Sequence, residues 1–404
     1  MKVLHVLSQR PSLTGSGVTL EAFVRHATQN GWEQRVIVGV PSEDPRPDVG
    51  GLSPDRIHPL LFDTETLPFP VPGMSDVMPY RSTRFSAMGD GEHALYQTTW
   101  RTHIQEVVRH FQPDVIHSHH IWILSSILKD ICPDVPVVTS CHATGLRQMR
   151  LCPDRADEVR RGCARNDGFL VLHQEHAEAL ERELEVEGDR VHVVGAGYRE
   201  ELFGLPQVRS ARGPTLLYAG KYSHAKGLPW LLDAVERLAE RRPGIHLHVA
   251  GTGAGSEADA LRIRMESMQE IVTLHGQVNQ DRLSTLMTQA DVFVLPSFYE
   301  GLPLVLIEAL ACGCKLVCTR LTGVVKEFEP VLGEHLRLVP LPRLKGPDVP
   351  VEADLPAFVA ALERTLTTAL DAPPPSELER ALVPFRWASV FERVEAQWQA
   401  LASL

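Results

Sequence analysis

Residues 2–40 read KVLHVLSQRPSLTGSGVTLEAFVRHATQNGWEQRVIVGV, and this stretch decides the fold. Residues 2–7 form a short, nearly unbroken apolar run, suited to a strand buried on both faces. Residues 11–17 are rich in turn formers. Residues 18–29 then carry helical spacing through Leu20, Phe23, Val24 and Ala27, Gly31 stops the helix, and residues 35–40 form a second strand. Strand, helix, strand predicts a parallel pair joined by a right-handed crossover, and hence a doubly wound α/β sheet.

The same alternation continues outward. Residues 100–111 are helical, and 114–117 form a strand that ends in His117-Ser118-His119-His120. Residues 135–140 form another, followed by Cys141-His142-Ala143-Thr144-Gly145, and strands at 169–172 and 191–194 complete a first half. A second α/β series starts at Thr215, with strands at 216–218, 245–250, 271–274, 292–295 and 315–318. The chain therefore reads as an N-terminal Rossmann-like domain at 1–200 and a C-terminal one at 213–375. A closing segment at 376–404 carries Trp387, Phe391, Val394 and Trp398 at helical spacing and is expected to cross back to the first domain. Gly195-Ala196-Gly197 and residues 204–213 look like the connection. Two such sheets are expected to face each other across a cleft, with ligands beyond the carboxyl ends of the strands. Residues 41–95 interrupt the pattern. Prolines recur there among Leu67, Phe69, Val71, Met74, Val77, Met78 and Tyr80, which suggests an insert acting as a substrate-side lid.

Length and charge set bounds on function. A chain of 404 residues calls for two or three domains. Hydrophobic residues at 44% and charged residues at 23% are ordinary for a globular protein. Lys and Arg number 40 against 51 Asp and Glu, a net charge of −11, which argues against a nucleic-acid backbone as the main partner. The apolar start is too short for a signal peptide, and no run approaches the ~18 residues that span a bilayer. A cytoplasmic protein without an integral membrane segment is expected. Seven cysteines include the trio Cys312, Cys314 and Cys318, which lacks a fourth ligand nearby and reads as small hydrophobes in a reducing compartment.

The most informative segment is Ser297-Phe298-Tyr299-Glu300-Gly301-Leu302-Pro303-Leu304-Val305-Leu306-Ile307-Glu308. It follows a predicted strand and opens a predicted helix, with Pro303 suited to the first helical position. Amides on Leu304 and Val305 would then face a phosphate, and Glu300 and Glu308 would accept from sugar or ribose hydroxyls. The plainer reading is a glutamate stabilising a helix dipole and a second one solvated. In the first half, Gly15-Ser16-Gly17 permits close approach of backbone N–H groups to a ligand, or simply makes a tight turn. His117, His119 and His120 have no carboxylate beside them and read as polar lining rather than metal ligands. Lys221 and Lys226, taken alone, are two lysines in a loop.

Glu300 and Glu308 form an E-x7-E pattern that resembles the retaining nucleotide-sugar glycosyltransferases of family 4, which have the GT-B fold. Tyr218-Ala219-Gly220-Lys221-Tyr222-Ser223-His224-Ala225-Lys226-Gly227 is similar to that family's strand-end lysine and glycine element. Gly276-Gln277-Val278 and Ala290-Asp291-Val292-Phe293-Val294-Leu295-Pro296-Ser297 resemble its base-binding loop and the strand before the acidic motif. The likeness is dense over residues 215–319 and thinner in the first half.

The resemblance implies a catalytic set of His142, Lys221, Lys226 and Glu300. The two lysines hold the charge that develops on the departing diphosphate, which dispenses with a metal or other cofactor. It places Gly15, Ser16 and Gly17 against the diphosphate, His142 near the reacting carbon, Gly251 and Gly253 near the nucleotide, and Gln277 and Val278 at the base edge. Gly301, Leu302, Leu304, Val305 and Glu308 complete the donor site, and His119 and Arg147 are assigned to the acceptor, a small molecule or glycan. The implied reaction is metal-independent, front-face, retaining transfer from a nucleotide sugar, with UDP first and GDP or ADP next. A sugar epimerase, a phosphorylase and a nucleotide-sugar-binding protein without turnover are the alternatives. Three departures from the family pattern stand out: Lys221 where arginine is also common, Gly195-Ala196-Gly197 in place of Asn-Gly-Val, and Lys315 in place of a frequent proline.

Overall fold

The computed structural model describes residues 1–11, 14–75, 78, 80–142, 144–206 and 214–403. The chain divides into two compact units, Met1–Gly197 together with Trp387–Leu404, and Tyr198–Arg386. Residues 207–213 of the expected connection, Val77 of the expected insert and Ala143 lie outside the described residues.

In the first unit the strands are β1 (Lys2–Leu7), β2 (Glu33–Pro41), β3 (Ile57–Phe62), the short pair β4 (Pro72–Gly73) and β5 (Thr83–Arg84), β6 (Val115–His119), β7 (Val137–Cys141), β8 (Gly168–Val171) and β9 (Val191–Val193). The main sheet runs β3-β2-β1-β6-β7-β8-β9, all parallel. The interior strands β6, β7 and β8 are buried along their whole length, as apolar runs covered by helices on both faces must be.

In the second unit the strands are β10 (Thr215–Ala219), β11 (His246–Ala250), β12 (Val272–Gly276), β13 (Val292–Leu295), β14 (Lys315–Thr319) and β15 (Leu336–Val339). Their order, β12-β11-β10-β13-β14-β15, is again all parallel. It is the doubly wound dinucleotide-fold order. Strand order therefore reverses between β1 and β6 in one sheet and between β10 and β13 in the other. The carboxyl ends at those two places are where this architecture receives ligands.

The expected insert is corrected by the structure. Residues 57–62 form the edge strand β3, and Leu67, Phe69, Val71 and Met74 are buried in the same core as Tyr96 and Trp100. The segment is part of the first unit's core rather than a cover over it. Pro59 lies within this strand, because an edge strand leaves one side unpaired and tolerates proline. The closing helix Trp387–Ala402 packs with the first unit: Trp387, Phe391, Val394 and Trp398 share a cluster with Val3, Phe23, Val115 and Leu170. Truncating fully buried Trp398 to alanine would cost about 3–5 kcal/mol. All seven cysteines are buried and none is in a disulfide, and Cys312, Cys314 and Cys318 sit among the apolar residues of the second unit. No described helix is long and apolar enough to cross a membrane.

Candidate active site

Because the strands of the second sheet are parallel, β10, β11, β12 and β13 end at one edge, and backbone hydrogen bonds knit the loops that leave them. The Gly220 N–H donates to the Ala250 carbonyl (3.0 Å), Tyr222 N–H to Thr252 (3.1 Å) and Gly251 N–H to Gly276 (2.7 Å). Gly251 sits at φ +132°, and a Cβ on it would lie 1.9 Å from the Gly220 carbonyl oxygen, so only glycine fits. The Tyr218 hydroxyl donates to the Lys221 carbonyl (2.7 Å) and fixes the lysine loop to its own strand.

That loop meets the acidic segment directly. Phe298 N–H donates to the Ala225 carbonyl (2.9 Å), and Lys226 Nζ donates to Glu300 Oε2 (2.8 Å) and to the Tyr299 carbonyl (3.5 Å). Gly227, at φ +70°, passes so close to β13's exit that a Cβ would lie 2.0 Å from the Pro296 carbonyl oxygen. The Lys226 and Glu300 side chains are 26% and 16% exposed, so the pair is shielded but reachable. Lys221 is exposed on the same loop, Gln277 is exposed past β12 and Gly301 past β13, while Val278 and Leu302 are half-buried against the second unit's core. Gly253 carries no side chain because Ala258 and the Tyr222 carbonyl occupy that space, 2.6 and 2.9 Å from where its Cβ would be.

The acidic helix starts later than expected, at Val305 rather than Pro303. The Leu304 amide is not free, since it donates to the Leu302 carbonyl (2.9 Å). Of the two amides expected to face a phosphate, only Val305's lacks a protein acceptor among the described residues. Burial raises the Glu308 carboxyl to about 7, so near neutral pH it is able to donate a proton in a hydrogen bond as well as accept one.

The first sheet presents a different set. The residues expected as a glycine loop form instead the first turn of the helix Gly15–Gln29: Thr14 caps it, its hydroxyl accepting from the Gly17 N–H (3.2 Å). An N-cap threonine fills one of the orphan donors of a helix end, which is why this turn closes here. The Ser16 hydroxyl points inward and donates to Gln9 Oε1 (3.2 Å), just past β1. His120, just past β6, donates from Nε2 to the same oxygen (3.2 Å) and accepts at Nδ1 from the Thr144 hydroxyl (3.0 Å). A carboxamide oxygen only accepts, which settles this ring's tautomer. Ser16, Gln9, His120 and Thr144 thus tie the helix start to the turn after β7.

His142 stands in that turn, with Nε2 3.0 Å from Nδ1 of His119. His119 is 1% exposed and enclosed between the rings of His117 and His142, so the acceptor role expected for it is corrected: its ring is closed off from solvent, and its polar contact is with His142. Arg147 is exposed on the helix Thr144–Leu151. Burial, reinforced by neighbouring histidines, holds His117, His119 and His120 well below the ordinary imidazole range and lowers His142 to about 4. At neutral pH this whole cluster is uncharged.

Among the described residues, one group has the spacing of metal ligands: His5, His117 and His119, with one nitrogen of each within 4.8 Å of the others. The His117 and His119 rings stack at 4.7 Å with 18° between planes, so their in-plane lone pairs do not meet at one point. Phe23 stacks on both rings and Trp398 packs edge-on against His5 and His117. That geometry suits a buried hydrogen-bonding slab better than a coordination sphere. Sequence reasoning did not single out Gln9, Thr14 or Thr144. Thr14 carried a signal as the cap residue before a helix, whereas the Gln9–His120 contact spans 111 positions and has none.

Comparison with known proteins agrees with this architecture. A Glycosyltransferase Family 4 model matches residues 13–202, and a model described as Glycosyl transferases group 1 matches 213–343. The chain is 31% identical over 247 residues to the D-inositol 3-phosphate glycosyltransferase of Arthrobacter sp. strain FB24, an alignment covering 54% of this chain and 58% of that protein. It therefore spans less than two thirds of that relative's length. Sucrose-phosphate synthase from Thermosynechococcus elongatus superposes over the whole of both chains with a TM-score of 0.63 at 16% identity. Anabaena HepE, solved in complex with UDP and glucose, also superposes over the whole of both chains, with a TM-score of 0.62 at 16% identity. These structures share the fold, and the two family models together take in every strand of both sheets except β1 and every member of both strand-end clusters except Gln9. The chain belongs to the family 4 glycosyltransferases, of GT-B fold.

Proposed function

We propose that this protein transfers a glycosyl group from a nucleotide sugar to a hydroxyl acceptor with retention of configuration, without a divalent metal. The observation that carries the reading is the Lys226–Glu300 pair, 2.8 Å apart, at the strand-order reversal of the second sheet. In the step proposed, the bond between the sugar's anomeric carbon and the diphosphate oxygen breaks, and the electron pair leaves with the diphosphate. The acceptor oxygen bonds to the same face of that carbon, and its proton passes to the departing phosphate oxygen. Lys226 and the exposed Lys221 hold the negative charge that grows there, an interaction stronger in the transition state than in the ground state. Glu300 keeps the Lys226 ammonium on station and offers its other oxygen to a sugar hydroxyl. Glu308, half-buried and able to donate, suits a ribose hydroxyl. His142 takes a sugar oxygen, and Arg147 an anionic group of the acceptor.

UDP is the proposed nucleotide, a choice supported by the UDP bound to HepE. A melting-temperature screen of UDP, GDP, ADP and their sugars, each with and without EDTA, tests the reading, because a ligand that binds only the folded state raises its stability. A rise with one nucleotide family that survives EDTA is expected. No rise with any nucleotide sugar, or a rise abolished by EDTA, overturns the donor or the metal-independent part respectively.

A further inference from the structure

We propose that His119 is a positioning residue that sets the tautomer of His142, so that His142 presents a protonated Nδ1 to an oxygen of the donor sugar. The proposal deepens the glycosyl-transfer reading and rests on it for the identity of the ligand, but not for the tautomer.

The argument is a count of protons in a buried slab. His5, His117, His119 and His142 follow one another along one face of the first sheet, His5 paired in register with His117 and His119 two residues beyond it. Ring centroids lie 4.7 Å apart between His117 and His119 and 5.3 Å between His119 and His142, nearly parallel in both cases. Each of the first three rings has one nitrogen bonded and one buried nitrogen without a partner: Nδ1 of His5, Nδ1 of His117 and Nε2 of His119. A buried N–H with no acceptor is costly and rare in folded proteins, whereas an idle lone pair is better tolerated. Each proton therefore belongs on the bonded nitrogen.

His5 shows the rule with no freedom in it. Its Nε2 faces Gln34 Oε1 (3.0 Å), which only accepts, while the Gln34 amide donates to the Val24 carbonyl (3.1 Å) and the Thr28 hydroxyl (2.9 Å). The proton is on Nε2, and Nδ1 is the idle lone pair. His117 follows suit, donating from Nε2 to the Ser140 hydroxyl (2.8 Å). For His119 the choice lies between an orphaned Nε2–H and an Nδ1–H donating to His142, and the second is favoured.

His142 must then accept at Nε2. The imidazoles around it (His119, His120 and His176) are uncharged near neutral pH, because burial opposes the charged form in each. A neutral His142 that accepts at Nε2 carries its proton on Nδ1. The ring is half-buried where His119 is fully enclosed, and Nδ1 has no partner among the described residues. His142 thus offers a donor and refuses one. It selects a sugar position bearing an acceptor oxygen, without needing that oxygen to carry a proton.

Long-range 1H–15N correlation spectra of the uniformly 15N-labelled full chain read the tautomer directly, with the His142 signals assigned by their loss in H142N. The expected result is an Nδ1–H form for His142 in the wild type and a shift toward Nε2–H in H119L. Retention of the Nδ1–H form is expected in H119N, whose amide nitrogen stands where Nδ1 stood. An Nε2–H form in the wild type, or no change in H119L, overturns the proposal. Should H119L fail to fold, the wild-type and H119N spectra still decide it. Titration with UDP-glucose separates the two claims. If UDP-glucose raises the melting temperature and leaves the His142 Nδ1–H signal unmoved, the sugar-facing role is overturned. If no nucleotide sugar binds at all, the transfer reading fails and the tautomer assignment stands or falls on the spectra alone. In steady-state assays, H119L is expected to raise KM for the donor up to about tenfold with a smaller change in kcat, the size of one neutral hydrogen bond, with recovery in H119N.

Discussion

Two strand-order reversals, one in each sheet, carry polar clusters of opposite character. Past β10 and β13 lies an ion pair, Lys226 with Glu300, shielded yet in reach of solvent. Past β1 and β6 lies a network of Gln9, Ser16, His120 and Thr144 in which no member carries a charge at neutral pH. The topology supplies the same location twice, since parallel strands end together and the reversal leaves a gap between the helices that leave them. Burial decides which chemistry survives there. A charge withdrawn from water is lost unless paired, so the enclosed cluster is neutral and directional, while the half-open one keeps its charges. The first holds a ring in one orientation, and the second keeps a cation and a carboxylate within reach of solvent.

The largest expected contrast is between two glycines. Gly227→Ala puts a Cβ 2.0 Å from the Pro296 carbonyl oxygen at a backbone angle of φ +70°, and both problems fall on backbone that cannot swing away. A drop of about 3 kcal/mol or more in the second unit's unfolding free energy is expected, and the Lys226–Glu300 ion pair should break with it. Gly15→Ala, on the first turn of a helix, meets nothing within 4 Å, and should be neutral or stabilising by up to about 1 kcal/mol. Urea denaturation of both variants, followed by probes in each unit, checks the pair. Equal effects would remove the claim that the end of the lysine loop depends on a close backbone approach while the start of the Gly15–Gln29 helix does not.

Next in size is turnover. Lys226→Ala is expected to slow transfer by about 10²-fold or more, as removal of one charge-stabilising donor does, with little change in the unfolding midpoint. His142→Ala, at the neutral cluster, should cost roughly tenfold and act mainly on KM. Near-normal kcat in the lysine variant would end its assignment to the leaving group.

How far the residues announced this arrangement depends on the distance over which each feature is decided. Residues 2–40 settle a βαβ start within one stretch, and the acidic segment and lysine loop are each short enough to recognise alone. That Lys226 meets Glu300 rather than standing free was not legible, because the contact joins loops 74 positions apart. His119 was misplaced for a related reason: alternation along β6 puts His117 and His119 on one face, but nothing local says that Phe23 and the Trp387–Ala402 helix cover that face. The edge strand β3 was hidden by Pro59, whose meaning changes with its place in the sheet.

A smaller effect separates the clusters by pH. Folding raises Glu308 from an ordinary 4.5 to about 7 by burial alone, so the folded state favours its protonated form. The stability this group contributes is complete below about pH 4.5 and is lost as pH rises through 7. Glu308→Gln, which mimics the protonated form, should therefore gain on the wild type between those values and keep a constant advantage above them. Unfolding free energies at intervals from pH 4 to 8.5 read this out in the second unit's transition. A flat difference across the range would mean that Glu308 is solvated and titrates normally.

The smallest effect tests whether the two clusters are held by different forces. Thr144→Val keeps the shape of the turn but removes the hydroxyl that donates to His120 Nδ1, at a cost of about 1 kcal/mol in the first unit. No charge takes part, so raising the ionic strength should leave that cost unchanged. The Lys226–Glu300 pair is worth a similar ~0.2–1 kcal/mol to stability, but it is an ion pair near solvent, and its share should shrink at about 1 M salt, where screening acts over roughly 3 Å. Measured as stability differences at low and high salt, Thr144→Val should hold constant while Glu300→Gln converges on the wild type. Convergence of both would show that charge reaches the first cluster after all, and with it the assumption that its histidines are neutral would fall.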